Sequence, residues 1–121
     1  MLAFQPEGVR EKLLPTLNLE AFTGRTVTDV NALRMELDHV RKQYVSFDDE
    51  EFSIGVRCIA TPIFKHDGTI GAAIGVSGPS PRVTDDRLKE WEALLRDEAY
   101  NVSTALGWEP PVTLPSILAG F

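Results

Sequence analysis

Cys58 is the sole thiol of the chain, and a thiolate nucleophile needs a base or a positive environment beside it. The imidazoles are His39 and His66. His66 falls at the tip of a predicted hairpin whose first arm carries Cys58, roughly 26 Å away at about 3.3 Å per residue, too far to act as base. His39 lies off the apolar stripe of a predicted helix and faces solvent. Asp48, Cys58 and one histidine offer metal-ligand atoms, but no Cys-x-x-Cys or His-x-x-x-His spacing accompanies them. The run Asp48-Asp49-Glu50-Glu51 lacks the alternating oxygens and glycine of a calcium loop and reads as a solvated turn. Asp85 and Asp86 begin the last predicted helix, where the helix dipole accounts for them. Gly75-Val76-Ser77-Gly78 has the glycines of a phosphate loop, yet no lysine follows and the next helix starts too late. These patterns imply no catalytic group, no metal site and no cofactor.

The elements that position these residues start with a hairpin. Two β-prone runs, Ile54–Phe64 and Ile70–Ser77, flank Asp67-Gly68, the strongest short-range hairpin signal. A central Asp-Gly in an even-length turn sets Cys58 opposite Ser77, Ala60 opposite Gly75 and Pro62 opposite Ala73. Pro62 has no N–H and cannot fill a hydrogen-bonded ladder position, which favours a four-residue turn over a two-residue one; a three-residue loop would separate Cys58 from Ser77. One face then carries Cys58, Ala60, Ala73, Gly75 and Ser77, all small. The other carries Ile59, Ile63, Ile70, Ile74 and Val76, suited to a helix layer. Two readings of the small face stand open: the floor of a small-molecule pocket, or a seat for a bulky helix, the commoner use of small sheet residues.

Around the hairpin, residues 1–17 read as helix interrupted at Pro6 and Gly8. A connector without period follows over residues 18–27. Val30, Leu33, Leu37, Val40 and Tyr44 then mark an amphipathic helix that Thr28 or Asp29 caps. Residues 43–48 read as a short strand. A long helix begins near Thr84 and stops at Gly107, with Leu88, Trp91, Leu95, Ala99, Val102 and Leu106 on one stripe. Residues 108–121 hold three prolines and no period, and read as a tail. Helices against an antiparallel sheet make an α+β fold. Three strands lie near the lower limit of a stable sheet, so the domain reads as partial.

At 121 residues the chain accommodates one domain. With 43% hydrophobic residues and no apolar run near the ~20 residues of a membrane helix, it reads as a soluble, globular protein. The net charge of -6 gives no electrostatic footprint for nucleic acid. One cysteine and no signal-like N-terminus point to the cytoplasm.

The stretch Phe47-Asp48-Asp49-Glu50-Glu51-Phe52 through Gly55-Val56-Arg57-Cys58-Ile59-Ala60 resembles the effector-binding domain of IclR-type bacterial transcription regulators. The likeness continues through Pro62-Ile63, Asp67-Gly68, Ala72-Ala73-Ile74, Ser77-Gly78-Pro79 and Arg82-Val83-Thr84-Asp85-Asp86-Arg87. Upstream, Met1-Leu2-Ala3-Phe4 and the stretch from Thr28 through Ala32-Leu33-Arg34 and Glu36-Leu37 fit the same family. The resemblance spans residues 1–107 and leaves 108–121 unmatched. It implies a GAF-like, profilin-like antiparallel sheet with helices on one face, and no enzyme.

By that resemblance the domain binds a small organic acid, an oxo or aromatic acid, and self-associates as dimer or tetramer. DNA is bound only through a winged helix-turn-helix that this chain does not contain. The first strands of the domain, and a Gly-rich segment that would help hold the effector carboxylate, are expected to precede Met1. Asp48, Cys58 and Ser77 match positions lining the effector pocket, and Val56 matches an apolar wall. Gly75 stands where a pocket serine can occur, which suits a larger or less polar ligand. The expected function is the ligand-sensing portion of such a regulator. The alternative is an oligomerisation remnant with no ligand of its own.

Overall fold

A computed structural model describes residues 1–111. Its two long helices start at side-chain caps. Asp29 accepts a hydrogen bond from the Ala32 N–H at 2.8 Å, and Thr84 accepts one from the Arg87 N–H at 3.2 Å. These satisfy backbone donors that the first helical turn leaves free. They open α2 (Val30–Gln43) and α3 (Asp85–Ala105). The N-terminal segment is less regular: 3-10 turns at Leu2–Phe4 and Leu14–Thr16 bracket α1 (Glu7–Leu13), with Pro6 just before its first residue.

Three antiparallel strands follow, β1 (Ser46–Asp49), β2 (Val56–Phe64) and β3 (Ile70–Pro79), in the order β1-β2-β3. The expected strand over 43–48 starts too early: α2 runs to Gln43, and Tyr44 ends it with a left-handed φ of 57°. Likewise β2 begins at Val56 because Gly55, at φ 84°, turns the chain just before it. The expected hairpin register holds from Cys58↔Ser77 to Ile63↔Ala72. It then slips by one, pairing Phe64 with Ile70, so a five-residue loop replaces the expected four. The loop closes through Lys65 N–H to the Thr69 carbonyl at 2.9 Å. The Phe64 N–H, which faces away from β3, bonds Ser103 Oγ of α3 at 3.0 Å.

On the aliphatic face, Ile59 packs with Val45, Val83, Leu88 and Leu95, and Ile74 and Trp91 lie against this core. Thr61 on the same face gives its hydroxyl to the Leu95 carbonyl at 3.2 Å, fixing α3 along the sheet. A second core joins Ala3, Leu14, Leu37 and Val40. An aromatic group bridges to the hairpin end: Phe4 and Tyr44 both touch the Phe64 ring. The expected tail does not begin at Trp108. That ring is buried and stacks on Phe64 with centroids 5.0 Å apart. The rest of that expectation, over 112–121, lies outside the described residues. The result is an α+β fold with a three-stranded antiparallel sheet and α3 across one face.

Candidate functional site

The two pairings of β2 build one row of side chains. Asp48 on β1 lies opposite Cys58, and Cys58 lies opposite Ser77 on β3. Directly opposed residues share a face, so a carboxylate, a thiol and a hydroxyl line up across all three strands on the face away from α3. Beside this row runs a second, Ser46, Ala60 and Gly75. Val56, opposite Pro79, flanks the polar row on its other side. Gly75 and Ser77 are exposed, while Asp48, Val56, Cys58 and Ala60 are half-buried. No bulky residue stands among them.

The Cys58 thiol has its pKa pushed up, first by burial and then by the Asp48 carboxylate, while a hydrogen bond from Ser77 pulls it back. That direction keeps the sulfur protonated and opposes the activation a nucleophilic cysteine needs. His39 and His66 are exposed. Among the described residues, no group of three His, Cys, Asp or Glu side chains is placed to hold a metal ion.

Asp48 is held by the acidic run itself, which is a built turn and not the solvated one expected. Asp48 Oδ1 accepts the Glu51 N–H at 2.8 Å. Glu50 takes φ 59°, and its Oε1 accepts the Gly55 N–H at 2.8 Å and the Ser80 hydroxyl at 3.1 Å. The Gly55 N–H above all, with Ser80, lowers the Glu50 pKa, whereas burial raises that of Glu51. Thr23 and Thr26 complete the turn, giving their hydroxyls to the Glu50 and Glu51 carbonyls. The connector at 18–27, featureless by periodicity, thus positions β1. The Thr-x-x-Thr spacing, with Thr26 Oγ1 accepting the Thr23 N–H at 2.9 Å, is the one local signal of it.

Gly75 admits no side chain in the second row. A Cβ there would stand 2.7 Å from the Ile59 carbonyl oxygen and 3.1 Å from the Ala60 Cβ. The row is therefore an open floor, and Ser77 also borders a cleft of about 590 Å³ with Arg82, Thr84, Arg87 and Trp91.

Residues 1–104 match the family model described as "Bacterial transcriptional regulator IclR C-terminal". The chain belongs to the IclR family. Among IclR relatives, the HTH-type transcriptional repressor AllR of Salmonella typhimurium is 43% identical over 94 residues, covering 78% of this chain and 35% of AllR. The chain therefore spans about a third of the length of the curated IclR regulators it matches. The C-terminal domain of the E. coli regulator KdgR superposes with a TM-score of 0.80 at 34% identity, covering 88% of this chain and 65% of that one. The inducer-binding domain of the Acinetobacter factor PobR, solved with 3-hydroxybenzoic acid, gives a TM-score of 0.79 at 27% identity, over 84% of this chain and 59% of that one. These IclR relatives are transcriptional regulators, and no helix among the described residues is long and apolar enough to cross a membrane.

Proposed function

We propose that the chain is the ligand-sensing portion of a cytoplasmic IclR-type regulator, with a small carboxylate metabolite seated on the Asp48–Cys58–Ser77 row. The observation that carries this reading is the alignment of three different polar groups on a sheet face lined otherwise by small residues. Asp48 accepts hydrogen bonds and repels a second anion, so it takes a ligand hydroxyl. The ligand's carboxylate lies toward the Ser77 end, where a hydroxyl donates and the Asp48 carboxylate stands at the opposite end of the row. Val56 walls one side, and the Gly75 row leaves space for a ring or short chain. Self-association and a DNA-binding domain outside this chain complete the regulator. The ligand shifts the population of domain arrangements by binding one of them better. Such coupling typically amounts to about 1–3 kcal/mol, or 5–150-fold in DNA affinity.

Thermal melting in the presence of oxo acids and aromatic acids tests it. A seated ligand raises the melting temperature with concentration, by about 2.7 kcal/mol of stability at 100 times Kd, and Ser77→Ala abolishes the shift. A second reading, an oligomerisation element with no ligand of its own, draws on the outer edge of β3, unpaired among the described strands. Melting curves unmoved by any of these acids support that reading and end the first.

A further inference from the structure

Arg96 is the buried cation of α3, its side chain 4% exposed. Its Nη2 donates to Glu92 Oε1 at 2.6 Å, one turn back along the helix, and that contact matches its charge. The Nε–H is different. It is buried, and among the described residues no acceptor reaches it. A buried donor left in that condition is costly, and folded proteins supply such a group with a partner.

Arg96 lines a hollow of about 20 Å³ together with Thr61 and Phe64 of β2, Ala99 and Ser103 of α3, and Trp108. Thr61 and Ser103 are both buried. The Thr61 hydroxyl gives its proton to the Leu95 carbonyl at 3.2 Å, and Ser103 gives its own to the Ala99 carbonyl at 2.6 Å. A hydroxyl oxygen carries two lone pairs. Ser103 spends one on the Phe64 N–H and keeps the other, while Thr61 keeps both. The hollow is therefore bordered by a donor without a partner and by two oxygens with acceptor capacity left.

That pattern selects the occupant. An anion only accepts, so it would face both lone-pair oxygens beside a guanidinium already matched by Glu92. A cation is repelled by Arg96, and an apolar molecule leaves the Nε–H unmet. Water accepts one bond and donates two, and about 10–15 Å³ is room enough for one molecule. We propose that one ordered water sits in this hollow, accepting the Arg96 Nε–H and donating to Thr61 Oγ1 and Ser103 Oγ. It ties α3 to β2 beside the Thr61–Leu95 bond. No residue of β3 lines the hollow, so the site does not depend on what pairs with that strand. It is equally independent of a ligand on the polar row, which lies on the other face of the sheet.

A high-resolution crystal structure of the 121-residue chain tests it, with a second crystal soaked in bromide. Expected is one water peak about 2.7–3.2 Å from Arg96 Nε and equally close to both hydroxyl oxygens, with no anomalous bromide signal there. Arg96→Met removes the donor, and loss of the water peak is expected. If that variant does not fold, the two crystals of the unaltered chain decide alone. A dry hollow overturns the proposal, as does bromide in it or a side chain from residues 112–121 filling it. A water that persists in Arg96→Met overturns it equally.

Discussion

Arg57 on the middle strand reaches Asp85 in the first turn of α3, with Nη2 2.8 Å from the carboxylate, while its Nη1 donates to the Val83 carbonyl at 2.6 Å. The two contacts differ in worth because the partners differ in exposure. The Asp85 side chain is 84% exposed, whereas Val83 is 1% exposed. Asp85→Asn is expected to cost less than about 1 kcal/mol, as exposed ion pairs do. Arg57→Leu also removes the charged bond to Val83 and the 3.0 Å ion pair with Asp49, and is expected to cost about 1.5–3 kcal/mol. Urea unfolding of the two variants checks the order, and equal losses would contradict it.

The environment of Cys58 makes a pH expectation. Burial and the Asp48 carboxylate both raise its pKa, so alkylation by iodoacetamide is expected to rise with pH only above the ordinary thiol range. Asp48→Asn moves the profile down in pH, and Ser77→Ala, which removes the bond favouring the thiolate, moves it up. Because the folded pKa is raised, the protonated thiol stabilises the fold below the ordinary thiol value. That contribution is lost as pH rises through the folded value.

Two glycines are expected to respond with opposite signs to alanine. At Gly75 the new Cβ meets the Ile59 carbonyl oxygen at 2.7 Å, a backbone atom that cannot swing aside, and a loss of about 1–3 kcal/mol follows. At Gly8, inside α1, nothing lies within 4 Å, and alanine is expected to gain about 0.4–1 kcal/mol. Denaturation midpoints of both variants provide the comparison.

Ser103 accepts the Phe64 N–H and donates its own hydroxyl to the Ala99 carbonyl at 2.6 Å. Ser103→Ala leaves a buried N–H without a partner, at a cost of about 1–3 kcal/mol. Amide exchange at Phe64 is expected to quicken more than at Ile59, which keeps its ladder bond.

The parity of the hairpin was legible in the sequence because a central Asp67-Gly68 in an even-length turn sets Cys58 beside Ser77, the pairing the structure holds. The loop length was not: the pairing slips between Ile63 and Phe64, where Phe64 is tied to Ser103, far along the chain in α3. Nor was the approach of Asp48 to Cys58. That pairing is fixed by a turn in which Glu50 bonds Gly55 and Ser80 while Thr23 and Thr26 hold its carbonyls. Trp108 read as tail because prolines follow it, and its stacking partner lies on a different element. Local chemistry marks strands, caps and turns; contacts between distant segments set their final lengths.

Tyr44 joins α2 to β1 with almost no slack. Gln43 ends the helix, Val45 is buried and Ser46 opens the strand. A left-handed φ is costly for a residue with a side chain, and the aromatic packing of Tyr44 between Phe4 and Phe64 holds it there. The joint acts as a welded crank: a twist applied to α2 has no loop in which to dissipate. Asp48 stands two residues into that short strand, so the end of α2 fixes where its carboxylate lies.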